Sequence, residues 1–265
     1  MTKTVGFIGS GNMASAIISG ILKSGTKLSL MVYDLHQANY ETLAQQGVRT
    51  CADSSELVCA CDTIFLSIKP QNFGDVLPEI KPHINKDAVI VSIAAGITDT
   101  YIASELGYDA KVVLVMPNTP LLLGAGATAL AKGERVSEEE FEFVRSLFDL
   151  SGETAVIAKD KMKEIISVNG STPAYIYLFA KGFVDYAKQT GIDEQTALRL
   201  FCATLKGSAE MMLHSGRSID ELIKMVSSPG GTTLAGLEVF EQNDLLGTIH
   251  RSCEACTKRA YELSK

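Results

Sequence analysis

The first part of the chain alternates two kinds of apolar pattern. Thr4–Gly9, Leu28–Tyr33, Asp62–Ser67, Ala88–Ser92 and Lys111–Met116 are short apolar runs of strand length. Between them come segments whose apolar residues recur at helical spacing. The clearest is Met13–Lys23, with Met13, Ile17 and Ile21 on one face and Gly25 just past the end. A second helix is expected over roughly 37–46. Gly124–Leu130 and Thr154–Ala158 read as further strands. Ser137-Glu-Glu-Glu140 reads as a capping box that opens a helix reaching about Leu150. Strands alternating with helices predict βαβ units and a mainly parallel sheet.

After Ala158 the texture changes. Tyr175–Gln189, Glu194–Leu213 and Asp244–Leu263 are long helical segments, and no run reads as a strand. Asn169-Gly-Ser-Thr-Pro173 breaks the first helical stretch, because Pro173 has no amide to give a helix interior. The predicted architecture is α/β. A doubly wound parallel sheet of Rossmann type occupies 1–158, and an all-α domain occupies 159–265. The few helices of the second domain make a thin core, so a second copy of the chain is expected to cover an apolar face.

Composition removes several functions. At 46% hydrophobic and 21% charged, the 265-residue chain is neither disordered nor low-complexity. Its net charge of -7 and pI ≈ 5.2 lack the basic footprint of a nucleic-acid binder. Aromatic residues are only 7% and Trp is absent, which argues against an aromatic-lined groove for single strands. His36, His83, His214 and His250 lie far apart without HExxH spacing, so no metal site is expected. The six cysteines include Cys59-Ala-Cys61 and Cys253-Glu-Ala-Cys256, read as reduced thiols packed as small apolar groups. Met1-Thr-Lys-Thr4 has no signal-peptide pattern, and no apolar run approaches the ~18 residues of a membrane span. A cytoplasmic protein outside the membrane is the expectation.

Gly9-Ser10-Gly11-Asn12-Met13-Ala14 matches G-x-G-x-x-A between a strand and a helix, the context that gives this short motif meaning. Gly9 serves the tight turn, Gly11 lets the backbone approach a pyrophosphate, and Ala14 lets helix and strand pack closely. The helix-start amides would meet the phosphates. Asp34 ends the second strand, where a carboxylate accepts hydrogen bonds from both adenosine ribose hydroxyls. It repels a 2′-phosphate, so the reading favours NADH over NADPH, although His36 partly offsets that repulsion. Three more loops follow strand ends, where open parallel sheets bind ligands. They are Ser67-Ile-Lys69-Pro70-Gln71, Ser92-Ile-Ala94-Ala95-Gly-Ile97 and Met116-Pro-Asn118-Thr-Pro120. Lys69 and Asn118 are candidate polar groups on the nicotinamide side. Ala94 and Ala95 are small enough for backbone to approach a ring.

In the helical half, Ser227-Ser228-Pro229-Gly230-Gly231-Thr232-Thr233 precedes Leu234-Ala-Gly-Leu. Proline and glycines followed by hydroxyls at a helix start offer unpaired amides, with Thr232 or Thr233 as a possible cap, and make a carboxylate cradle.

These motifs carry a resemblance. GFIGSGNMA, SIKPQ, SIAAGI, MPNTP, NGSTPAYIYLF and SSPGGTTLAGL occur in this order, and over essentially the whole chain resemble the Δ1-pyrroline-5-carboxylate reductase family. The resemblance implies a Rossmann domain, a helical domain that dimerises, often with higher assembly into a ring, and NAD(P)H-dependent reduction of a cyclic imine to L-proline. By resemblance, Gly9, Gly11, Asn12 and Met13 form the phosphate loop, and Lys69-Pro70 the nicotinamide-side loop. Ser228, Gly230, Gly231 and Thr233 form the carboxylate loop, with the Thr233 hydroxyl reaching the ring nitrogen as the catalytic contact. Two positions depart from the family. Asp34 stands where many members carry Ser, Thr or Asn with an Arg nearby, and Thr172 replaces Ser or Gly between Ser171 and Pro173.

Two other functions fit the sequence less well. A 3-hydroxyacid dehydrogenase of the same layout needs a base, commonly Lys, soon after a glycine-rich turn; Lys163 is in the region, but no Lys follows Gly170 at that spacing. A non-catalytic NAD-sensing protein would have no use for a Ser-Pro-Gly-Gly-Thr-Thr loop.

Overall fold

The computed structural model describes residues Thr2–Ser264. In the first part the elements run β1 (Thr4–Ile8), α1 (Asn12–Ser24), β2 (Ser29–Tyr33), α2 (Tyr40–Gln45), β3 (Arg49–Thr50), α3 (Ser54–Ala60) and β4 (Thr63–Leu66). They continue with α4 (Phe73–Ile80), β5 (Val89–Ser92), α5 (Asp99–Leu106), β6 (Lys111–Met116), β7 (Gly126–Lys132), α6 (Glu138–Asp149) and β8 (Gly152–Val156). The sheet order is β3-β2-β1-β4-β5-β6-β7-β8. The strand order turns back between β1 and β4, the switch point where open α/β sheets hold ligands.

The sheet is parallel except at one joint, where β7 runs antiparallel to β6. The link from Met116 to Gly126 holds only a 3-10 turn, Thr119–Leu123. It is too short for the crossover that a parallel neighbour requires, so the chain turns back. Helix α6 then supplies a true crossover, and β8 returns parallel to β7. The α6 start is as expected: Ser137 Oγ accepts from the Glu140 amide at 3.3 Å, and Glu140 Oε2 from the Ser137 amide at 2.8 Å. The expected 37–46 helix is instead a 3-10 turn, Gln37–Asn39, followed by the six-residue α2.

Each face of the sheet has its own core. On one, Ile17, Ile18 and Ile21 of α1 and Phe141, Val144 and Phe148 of α6 pack on Phe7, Phe65 and Val91. Phe7 stacks on Phe65 with ring centroids 4.5 Å apart. The other face is covered by Leu57, Phe73, Leu77 and Ile102 from α3, α4 and α5. Burial pushes the Cys51 and Cys61 thiols up to about 11 and about 12, so both pack as neutral apolar groups, as expected for reduced cysteines.

The remaining elements are a π-helical turn, Ile166–Gly170, then α7 (Thr172–Gln189), α8 (Glu194–His214), α9 (Ile219–Val226), α10 (Thr232–Gln242) and α11 (Leu245–Glu262). The helix starts just before Pro173, in the first turn, where a missing amide costs nothing. By contacts the chain forms two compact units. One reaches to Pro173 and takes back the chain from Ala255 onward, and the other is Ala174–Glu254. The change in sequence texture at 158 therefore precedes the contact division. Residues after Ala158, including buried Met162 and Ile166, pack into the core of the sheet unit.

In the helical unit, Phe179 and Phe183 meet edge-on at 5.0 Å, and Phe183 lies 5.3 Å from Phe201. Even so, Val184 and Ala187 are its only buried residues among those described. Leu178, Leu200 and Leu213 are 72%, 60% and 74% exposed. A single copy of this unit leaves most of its apolar side chains facing outward.

Candidate functional site

Each unit carries one glycine-rich turn that opens a helix. In the sheet unit the turn lies between β1 and α1. Gly9 has φ 99, a conformation that favours glycine, and a Cβ there would sit 2.5 Å from the Ser67 carbonyl oxygen. The loops after β1 and β4 thus approach each other at the switch point. Gly11 is different. Its φ is -65, open to any residue, and an added Cβ would meet nothing within 4 Å. No protein contact requires glycine there. The open space lies beside the start of α1, where no side chain caps the free amides. The residues present fit a bound pyrophosphate, with Gly11, Asn12 and Met13 presenting backbone to it.

Ser10 is buried and has a separate job. Its amide and hydroxyl both donate to Asp34 Oδ2, at 2.6 Å and 2.9 Å. Asp34 Oδ1 accepts from the His36 amide at 2.8 Å. Partial burial disfavours the charge on Asp34, but the hydrogen bonds from His36 and Ser10 outweigh it and hold the carboxyl below its ordinary value. The Asp34 amide donates to the Tyr40 hydroxyl at 2.6 Å. Asp34 is thus charged at neutral pH and already braces the glycine loop. The sequence reading anticipated the charge but not the brace. Asn39 and Tyr40 were not anticipated at all.

The other cofactor-side candidates divide. Lys69 is exposed and stands at the start of a 3-10 turn opened by Pro70, with its carbonyl accepting from the Asn72 amide at 2.9 Å. Ala94 and Ala95 are half-buried above the core. Gly96 (φ 80) is tightly placed, since a Cβ would lie 3.2 Å from the Ala260 carbonyl of α11 and the positive φ favours glycine. The Ser67 backbone amide donates to Ile8 at 2.8 Å, which ties β4 to β1. Asn118 is 8% exposed, and its amide bridges the Ala127 amide (2.9 Å) and the Asn169 carbonyl (3.2 Å). Asn169 in turn donates to the Met116 carbonyl at 2.7 Å. The Asn118 side chain therefore shapes its loop from within, using one donor and one lone pair of its amide.

In the helical unit, Ser228 to Gly231 form the second turn. Gly230 has φ 71, and the Gly231 amide donates back to the Ser228 carbonyl at 2.9 Å. A side chain at Gly231 would crowd Ser228 Oγ at 2.7 Å. Helix α10 begins at Thr232, and its N-cap is Gly231, without a side-chain cap. This corrects the expectation that Thr232 or Thr233 caps the helix. Both lie inside the first turn and are exposed, and among the described residues their hydroxyls have no partner in the chain. The uncapped amides and the free Thr233 hydroxyl present donors of the kind that suit a small carboxylate carrying a second hydrogen-bonding group.

Among the described residues no His, Cys, Asp and Glu cluster could hold a metal, and no helix is long and apolar enough to cross a membrane.

Comparison with known proteins agrees over the whole length. Residues 159–263 match the family model for pyrroline-5-carboxylate reductase dimerisation. Residues 4–96 match that for NADP oxidoreductase, coenzyme F420-dependent. The chain is 35% identical to pyrroline-5-carboxylate reductase of Escherichia coli over 268 residues, covering 100% of both. Among solved structures, 1-pyrroline-5-carboxylate reductase of Streptococcus pyogenes matches at TM-score 0.91 and 32% identity, covering 98% of this chain and 99% of that one. Pyrroline carboxylate reductase of Plasmodium falciparum with NADP bound matches at TM-score 0.91 and 28% identity, covering 99% and 98%.

Proposed function

The chain belongs to the pyrroline-5-carboxylate reductase family, and from that premise we propose that it reduces L-1-pyrroline-5-carboxylate to L-proline with a reduced nicotinamide dinucleotide. The observation that carries the reading is the turn before α10: a start without a side-chain cap, glycines at 230 and 231, and a free hydroxyl at Thr233. The substrate is a carboxylate with a ring nitrogen close by, which is the pair of features this turn suits.

A bound reduced nicotinamide supplies the hydride. The chain's own residues bind and orient. Gly11, Asn12 and Met13 receive the pyrophosphate on backbone amides. Ser228, Gly230, Gly231 and Thr232 hold the substrate carboxylate. Thr233 hydrogen-bonds the ring nitrogen, so that the imine carbon is presented in one orientation. An imine accepts hydride best when its nitrogen is protonated, and neither glycine turn contains a histidine or carboxylate. Binding of the iminium form, with positioning, carries the catalysis.

The Asp34 carboxylate supports NADH as the preferred dinucleotide. It is charged, and Oδ1 carries one hydrogen bond in the chain, which leaves it able to accept from a ribose hydroxyl. A 2′-phosphate in the same place would meet like charge. Comparing kcat/KM for NADH and NADPH with pyrroline-5-carboxylate tests both levels. NADH should give the higher value. A strong NADPH preference overturns the role of Asp34, and no turnover with either overturns the reaction.

For assembly, the reading is a homodimer through residues 159–263, supported by the outward apolar side chains of α7 to α11. The two glycine turns lie in different units. The setting we infer is the cytoplasm.

A further inference from the structure

Asn39 closes the 3-10 turn Gln37–Asn39 and leads into α2 with helical backbone, φ -99 and ψ 0. Its side chain caps no amide of α2. Its side-chain amide instead reaches across 29 positions of sequence and donates to the Ser10 carbonyl at 2.7 Å. The Ser15 hydroxyl donates to the same carbonyl at 3.2 Å. Ser10 is therefore held from both sides: Asp34 takes its amide and hydroxyl, and Asn39 takes its carbonyl. Ser10 is the residue between Gly9 and Gly11, so fixing its peptide planes fixes the direction of the Gly11 amide and of the open space beside it.

We propose that Asn39 is a positioning residue for the dinucleotide. With Asp34 it clamps Ser10 and presets the phosphate loop. The clamp acts on the pyrophosphate half, which NADH and NADPH share. It is therefore distinct from the effect of the Asp34 charge on the 2′ position, which separates the two. This inference rests on the dinucleotide part of the proposed function but not on the identity of the substrate.

The test compares Asn39→Leu, which keeps the volume and removes the donor, with Asn39→Gln, which keeps a donor on a longer arm. Binding of NADH and of NADPH is measured without substrate, and kcat and both KM values are then measured with pyrroline-5-carboxylate. Asn39→Leu should weaken NADH and NADPH by one common factor, about three- to tenfold, as for loss of one hydrogen bond. The kcat at saturation and the KM for pyrroline-5-carboxylate should stay within about twofold, and Asn39→Gln should recover part of the loss. Unchanged affinity for both dinucleotides overturns the proposal. A change confined to one dinucleotide also overturns it, since Asn39 would then act at the 2′ position. A fall in kcat matched by a fall in melting temperature overturns it in favour of a general structural role. Wild-type binding of NADH without turnover of pyrroline-5-carboxylate would refute the substrate assignment and leave this inference intact.

Discussion

Gly9 and Gly11 stand two residues apart and need glycine for opposite reasons. Gly9 is fixed by the protein itself, through a positive φ and the Ser67 carbonyl 2.5 Å from where a Cβ would lie. Gly11 is constrained by nothing in the chain. Gly9→Ala should therefore destabilise the fold, by about 1–3 kcal/mol, with or without ligand. Gly11→Ala should leave stability within about 0.5 kcal/mol. Its cost should fall on dinucleotide affinity, about tenfold or more, equivalent to ~1.4 kcal/mol of binding. Thermal melts with a dinucleotide titration separate the two; a Gly9→Ala that melts at the wild-type temperature or a Gly11→Ala with normal affinity would contradict this division. At the second turn, Thr233→Ala should lower kcat/KM for pyrroline-5-carboxylate about 10²-fold while NADH affinity holds. Unchanged kinetics would exclude the contact with the ring nitrogen. The glycine motif was legible in sequence because its spacing falls between a predicted strand and a predicted helix. Asn39 was not, because its partner Ser10 lies 29 positions away and no local pattern links the two.

At the scale of elements, what could be read was what local pattern dictates. The capping box at Ser137 and Glu140 is such a case, since both partners lie within one turn. Glu140 has a further partner that sequence does not announce: Lys111 of β6, with Nζ 2.6 Å from Oε1. Partial burial disfavours the Glu140 charge. Hydrogen bonds from Lys111 and Ser137 more than reverse that and hold the carboxyl below its usual value. A carboxyl lowered in the folded state contributes stability above its unfolded pKa, and that contribution is lost as pH falls through the folded value. Ser137→Ala should thus cost about 1 kcal/mol at neutral pH, and the difference from wild type should shrink in acid. Urea unfolding at the two pH values checks this; a difference that grows in acid would contradict it. The reversal at β7 was harder to read. Its alternation does not reveal direction, and only the short link after Met116 does. The uncapped start of α10 was hidden for a related reason, because threonines after glycine look like caps until the helix boundary places them inside the first turn.

For the whole molecule, the sequence divided the chain at a change of texture, whereas contacts divide it where packing changes. The segment after Ala158 reads as helical yet serves the sheet core through Met162 and Ile166. The helical unit buries only Val184 and Ala187 among its described residues, too little to order α7 to α10 alone. It should exist only with its apolar side chains covered by a second copy. Light scattering at micromolar concentration should find no monomer, and a folded monomer would contradict the assembly. The acidic charge of -7 adds a constraint. The dinucleotide is an anion and the substrate carries a carboxylate, so general attraction to an acidic chain cannot gather them, and the proposed function leaves that work to the backbone amides at the starts of α1 and α10. The most direct measurement of this account follows the hydride itself. The purified chain is given pyrroline-5-carboxylate and NADH carrying deuterium at the transferable position. One proline should form per NADH oxidised, with deuterium on the ring carbon that was double-bonded to nitrogen. NADH oxidation without proline, or proline lacking the label, would contradict it.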